Sequence, residues 1–325
     1  MTNLSLHDKV FLQITDRKGC ETMEQKQYLR ISRLRDDDLP DFHVGDHIVV
    51  EEKIDGANFS FRYDAETDQI CSFSRRVELH VKNTLLGAWE WSQKLDKKKV
   101  AKVLGNNLIM FAEWLAPHTV KYPDEKYFNA YCFDIMNAET EQFLPQDQVK
   151  NIVQELGLIY VPVFYDGPFT SWEALEALVG RTELGGEYGE GIVIKNMTRL
   201  NDPDENFQFY VKIVGEAFKE KKAIGGWGMK MLDHRNEKSI ALELTESVVT
   251  TARVRKLILK MVDEQELPIN WKELDQRTIM RKLSNAVYYD CAKEEPETVE
   301  QVGKDFGKYA AIVAKKELSE LMRVM

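Results

Sequence analysis

The chain has 325 residues, 43% of them hydrophobic, enough to bury one large core and one smaller one, which excludes a disordered protein. Its 54 acidic against 44 basic residues leave a formal charge of −10, so any grip on a polyanion must come from a local basic surface and not from net charge. Cys20, Cys71, Cys132 and Cys291 form no C-x-x-C pair, and no leader pattern or long apolar run is visible; together these argue against a zinc site and for a soluble, reduced, cytoplasmic protein without a membrane partner.

Residues 1–27 are mixed in character and read as an N-terminal extension. His43 and His47 are spaced like a helical metal pair, but Val44, Gly45 and Asp46 make the stretch a polar turn. Short β-rich runs then follow at 47–53, 57–63, 69–74, 108–115, 128–135, 160–165, 191–195 and 207–214, the second and third joined as a hairpin across 64–68. Helical stretches interrupt them at 83–104, at 146–156 between Pro145 and Gly157, and at 172–179, where Thr170 and Glu173 suggest a capping box and Gly180 a stop. Hairpin-length links with interspersed helices predict an α+β domain built on antiparallel sheets over 28–224. Gly225-Gly226-Trp227-Gly228 opens a linker, 225–238, and 239–325 read as an all-helical C-terminal domain with helices at 240–262, 271–283, 285–293 and 299–322. Lysine clusters at Lys94, Lys97, Lys98, Lys99 and Lys102 and at Lys219, Lys221, Lys222, Lys230, Arg235 and Lys238 are either solvated faces or nucleic-acid contacts.

Chemistry concentrates in Lys53-Ile54-Asp55-Gly56. Alone it is a short pattern, and Asp55-Gly56 reads equally as a turn ending a strand. Three later apolar runs, however, each bury charge that is costly without a partner or ligand: Phe111-Ala112-Glu113-Trp114-Leu115, Glu190-Gly191-Ile192-Val193-Ile194-Lys195 and Phe209-Tyr210-Val211-Lys212-Ile213-Val214. A lysine amine attacks phosphorus only when deprotonated, so the site is expected to favour the free amine by desolvation or by a nearby cation, Lys195 or Lys212. No Walker or Rossmann fingerprint is present, so nucleotide binding must rest on this lysine-centred set.

In order and spacing the four segments resemble the motifs of the covalent nucleotidyltransferase superfamily of ligases and capping enzymes. Glu52-Lys53-Ile54-Asp55-Gly56-Ala57-Asn58-Phe59-Ser60, Tyr131-Cys132-Phe133-Asp134-Ile135 and Phe218-Lys219-Glu220-Lys221-Lys222 resemble more closely the phage and RNA-editing RNA ligases that seal nicks in duplex RNA. The similarity runs from about residue 28 to about residue 222 and more faintly beyond. It implies an ATP-dependent RNA ligase, working as a monomer with Mg2+ or Mn2+ on RNA ends or nicked duplex RNA through AMP carried on Lys53. It also implies that Glu52 reads the adenine edge, Phe133 stacks on the base, Arg75 (or its neighbour Arg76) contacts ribose and the incoming 5′-phosphate, and Glu113 binds ribose. Glu190 would hold the metal, and Lys195 and Lys212 the α-phosphate. Arg253, Asp290 and Glu294 match positions used for nucleic acid, with surface charge on helices as the plain alternative. One departure stands out: relatives carry K-x-K in the last motif, and here Lys212-Ile213-Val214 lacks the second lysine. Lys195 and Lys212 alone, or Lys219 or Lys221 reaching in, would have to neutralise the phosphate; activity is expected to survive. A DNA ligase, a capping guanylyltransferase and a non-catalytic end-binding protein remain as alternatives, the first two normally carrying a strand-rich OB barrel where this chain reads as helical.

Overall fold

The structure, a computed structural model, describes residues 26–29, 31–34, 41–202, 208–215 and 237–323. The chain divides into two units, Met1–Val214 and Gly215–Met325. The first is α+β, with two five-stranded, mostly antiparallel sheets, as the alternating runs predict. In one sheet the order is β1 (Ser32–Arg33), β10 (Tyr210–Val214), β9 (Gly191–Asn196), β2 (His47–Lys53) and β8 (Val163–Pro168). In the other it is β4 (Gln69–Ser74), β3 (Ala57–Asp64), β5 (Leu108–Trp114), β6 (Ala130–Asn137) and β7 (Ile159–Tyr160). Among the described residues, only the β1–β10 and β6–β7 pairs are parallel.

Alternation along the strands sets the layers. On the first sheet Ile48, Val50, Ile192, Ile194 and Val211 share the outer face with Leu175 of the short helix α4 (Trp172–Glu176). On the second, Phe59, Phe61, Met110, Ala112 and Cys132 pack outward against α1 (Ala88–Ser92), α2 (Lys97–Leu104) and α3 (Gln146–Leu156). Between the sheets Phe111, Phe143 and Met136 form a smaller apolar layer with Tyr28 and Phe133.

The second unit is helical: α5 (Glu237–Val248), α6 (Thr251–Asp263), α7 (Gln276–Glu294), α8 (Pro296–Val302) and α9 (Phe306–Arg323), around a core that includes Val254, Ile258, Leu283, Val287, Phe306 and Leu318. Most of the expected linker, 225–236, lies outside the described residues.

Several boundaries differ from expectation. The 83–104 stretch holds two helices, because the Asp96 carboxylate accepts the Lys99 amide and starts a new one. The 240–262 stretch breaks likewise at Thr250, which caps α6 through the Arg253 amide, and the 299–322 stretch divides into α8 and α9. Conversely α7 runs unbroken from its Asp275 cap through the expected gap at Ser284. The cap of α4 is Ser171, not Thr170, and the 160–165 run is shared between β7 and β8, which lie in different sheets. Cys132 and Cys291 are buried thiols, but Cys71 is disulfide-bonded, which corrects the expectation of four reduced cysteines. Among the described residues no helix is long and apolar enough to cross a membrane.

Candidate active site

The Lys53-Ile54-Asp55-Gly56 turn carries the chain from β2 in one sheet to β3 in the other, so Lys53 stands at the mouth between them. Two features force that crossing. The Asp55 carboxylate accepts the amides of Thr119 and Val120, both at 2.7 Å, with His118 Nδ1 3.6 Å away, and so ties the turn to the loop after β5. Gly56 passes so close to β5 that a Cβ there would lie 2.6 Å from the Trp114 carbonyl oxygen. Asp-Gly is thus a turn, as the plain reading had it, and a turn that aims the lysine.

Lys53 Nζ lies 2.5 Å from Glu190 Oε2, just before β9. Burial works against charge on the amine, but the fields of Glu190 and then Glu113, with the Glu190 hydrogen bond, outweigh it and hold the lysine pKa above its ordinary value. The expected bias toward the free amine is therefore reversed: the carboxylates nearby favour the ammonium. Burial in turn raises Glu190, against the pull of Lys53, and raises Glu113 to about 7. Asp55 goes the other way: burial pushes it up, but His118 and the loop amides prevail and lower it.

Lys212 shares the inner face with Lys53, and its charge acts on Glu190. Glu113 pairs with Asn58 on one side and Tyr131 on the other, facing the same gap. Phe133, half-buried, meets Tyr28 edge-on with ring centroids 5.1 Å apart. Lys53, Glu190, Glu113 and Asp55 are brought together; three other expected residues are not. The Glu52 side chain leaves β2 on the opposite side from Lys53, and its carboxylate accepts the Thr182 hydroxyl at 2.6 Å and the Glu183 amide at 2.9 Å. Arg75 and Arg76 lie side by side on an exposed turn closed by the Ser74 amide and the Val77 carbonyl, and geometry does not choose between them. Lys195 turns its ammonium away into a buried carboxylate cluster, 2.7 Å from Glu51 and 3.0 Å from Asp134. Lys219 and Lys221 lie outside the described residues.

In the helical unit Arg253 is fully buried, not a surface charge. It pairs with Asp290 at 2.7 Å and with Glu295 at 2.9 Å; the expected Glu294 is the last residue of α7. Sequence reading passed over Glu51, Asp134 and His118. Glu51 and Asp134 were detectable as charges inside apolar strands; His118, in a loop, carried no signal.

A lysine facing clustered carboxylates at the mouth of two antiparallel sheets defines the class of site. The chain belongs to the RNA ligase family, whose model matches residues 46–214. Its solved structural relatives include a Naegleria gruberi RNA ligase variant with AMP and Mn, 21% identical over 54% of this chain and 51% of that one, TM-score 0.43. The same ligase with PPi is 19% identical over 59% and 53%, TM-score 0.40. Another variant with ATP and Mn is 18% identical over 54% and 51%, TM-score 0.38. The chain thus spans about half the length of these relatives. A search of curated proteins found no match.

Proposed function

We propose that the chain is an ATP-dependent RNA ligase that joins 3′-hydroxyl and 5′-phosphate ends at nicks in duplex RNA, in the manner of the phage and RNA-editing ligases. The observation that carries this is the placing of Lys53 between Glu190 and Glu113 at the sheet mouth of an RNA ligase family domain. Lys53 Nζ, having given up its proton, attacks the α-phosphorus of ATP and expels pyrophosphate, leaving AMP on nitrogen. The AMP passes to an RNA 5′-phosphate, and a 3′-hydroxyl then displaces it. All three are in-line displacements at phosphorus, so one charged cluster serves each.

Within that cluster Lys212 balances phosphate charge, Glu113 meets the ribose, Phe133 offers its ring to the base and Arg75 awaits the 5′-phosphate. Among the described residues no three His, Cys, Asp or Glu side chains form a metal cage of their own. Glu190 would hold Mg2+ or Mn2+, hard cations that prefer carboxylate oxygen, and the ion would offset charge on the phosphates. Glu190 pairs with the Lys53 ammonium, so a cation held by Glu190 would weaken that hold.

The helical second unit supports a ligase of this kind over a DNA ligase or capping enzyme, which place an OB barrel there. Incubation with α-labelled ATP or GTP, followed by denaturing electrophoresis, tests the reading. An AMP adduct lost in Lys53→Ala supports it, a GMP adduct supports capping, and no adduct overturns it. Comparison of nicked RNA with nicked DNA then decides the substrate.

A further inference from the structure

Two residues before Lys53, on the same face of β2, Glu51 enters a buried hydrogen-bonded cluster that joins the two sheets. Lys195 Nζ has three N–H bonds and three acceptors: Glu51 Oε2 at 2.7 Å, the Phe133 carbonyl at 2.8 Å and Asp134 Oδ1 at 3.0 Å. Nothing is left for it to donate to a phosphate. Asp134 is satisfied in turn by Lys195, by Gln146 Nε2 and by the Tyr28 hydroxyl.

The remaining member is Tyr160. Its phenol oxygen lies 2.9 Å from Glu51 Oε1 and 2.6 Å from Gln146 Oε1. Gln146 is oriented by its amide nitrogen facing Asp134, so its oxygen must face Tyr160. A phenol has one proton, and here it meets two oxygens that each require one. The count closes if Glu51 carries a proton: Glu51 Oε1–H donates to Tyr160, and Tyr160 O–H donates to Gln146. Charge then closes too, with one ammonium, Lys195, against one carboxylate, Asp134, at a site about 2% exposed or less.

We propose that Glu51 is a neutral, proton-bearing positioning residue: its carboxylic acid completes a hydrogen-bond chain, Glu51–Tyr160–Gln146–Asp134, that with Lys195 locks the strand of Lys53 to the carbonyl of Phe133. The groups facing Glu51 are Lys195 from β9, Asp134 from β6, Tyr160 from β7, Tyr210 from β10 and Tyr28, with Gln146 from α3 closing the chain. Burial, opposed by Lys195 and reinforced by Asp134, lifts the Glu51 carboxyl to about 7, in keeping with the proton count. Locking the base platform to the nucleophile's strand fixes where the α-phosphorus falls relative to Lys53, so loosening it lowers the rate of attack more than the affinity for ATP.

The test uses the full chain and the single-turnover rate of labelled-AMP uptake at varied ATP, with infrared difference spectra. Glu51→Ala is expected to lower the limiting rate more than about tenfold with the ATP concentration for half-maximal rate changed less than about threefold. Glu51→Gln, whose amide donates to Tyr160 and accepts from Lys195 as a neutral acid does, is expected to recover most of that loss. The wild-type minus Glu51→Gln spectrum below neutral pH is expected to show a protonated-carboxyl band. Equal impairment in both variants, or no such band, overturns the proposal. If Glu51→Ala does not fold, Tyr160→Phe replaces it with a smaller loss of limiting rate expected, and no loss overturns the proposal. The kinetic arm rests on the function proposed above. A wild type that takes up no AMP defeats that function, and the infrared arm still decides the proton on Glu51.

Discussion

Lys53 and Val214 occupy one row of the sheet, two strands apart, with only Gly191 between them: Gly191 is the register partner of Lys53 on β2 and of Val214 on β10. Gly191 has no side chain to interpose, and a Cβ there would lie 2.1 Å from the Ile213 carbonyl oxygen. At about 4.8 Å per strand, a long side chain at 214 reaches the space above Lys53.

Val214→Lys therefore places a cation facing Lys53. It is expected to lower the Lys53 pKa and move the alkaline rise of AMP uptake down by about one pH unit. A rate–pH profile superimposable on wild type would show that this row does not govern the amine.

Glu113 gives a signed stability effect. Its carboxyl, raised by burial from 4.5 to about 7, keeps its proton in the native state where the unfolded chain has lost it. The native state then binds more protons, so this group's contribution to stability declines as pH climbs from about 4.5 to about 7. Urea unfolding is expected to show wild type losing ground to Glu113→Gln across that window, and parallel curves would refute it.

Gly56→Ala drives a methyl group into the Trp114 carbonyl oxygen at 2.6 Å and Glu113 Cγ at 2.9 Å, so β3 must pull away from β5. A loss of about 1–3 kcal/mol is expected, read by chemical denaturation. AMP uptake should fall as well, because Glu113 moves with the strand.

Arg253→Met leaves Asp290 and Glu295 with no guanidinium between them. The expected cost is about 3–5 kcal/mol, seen as early loss of helical circular dichroism on heating. A melting curve like that of wild type would return Arg253 to the role of a nucleic-acid contact.

How far the sequence was readable depended on whether a feature was local. Strand β4 and helix α3 fall where hydrophobic spacing and Gly157 put them, and β2 ends on Lys53 as expected. Helix breaks at Thr250 and Asp96 were missed because a capping side chain competes with an uninterrupted periodic pattern, and pattern alone does not rank the two. The pairing of Lys195 with Glu51 and Asp134 was out of reach for another reason. Strand alternation places Lys195 on the same face as Lys212, but the strand order that sets Glu51 of β2 beside β9, and the approach of the second sheet with Asp134, decide which acceptors it meets.

The side-by-side exit of Glu51 and Lys53 from one strand face has a genetic corollary. Inserting or deleting a single codon between positions 48 and 53 would turn the lysine to the outer, Phe169-lined layer and bring Glu52 or Ile54, respectively, to the mouth. Length changes there should abolish AMP uptake even where every amino-acid type survives, while the 65–68 hairpin tip, exposed for most of its length, should absorb them.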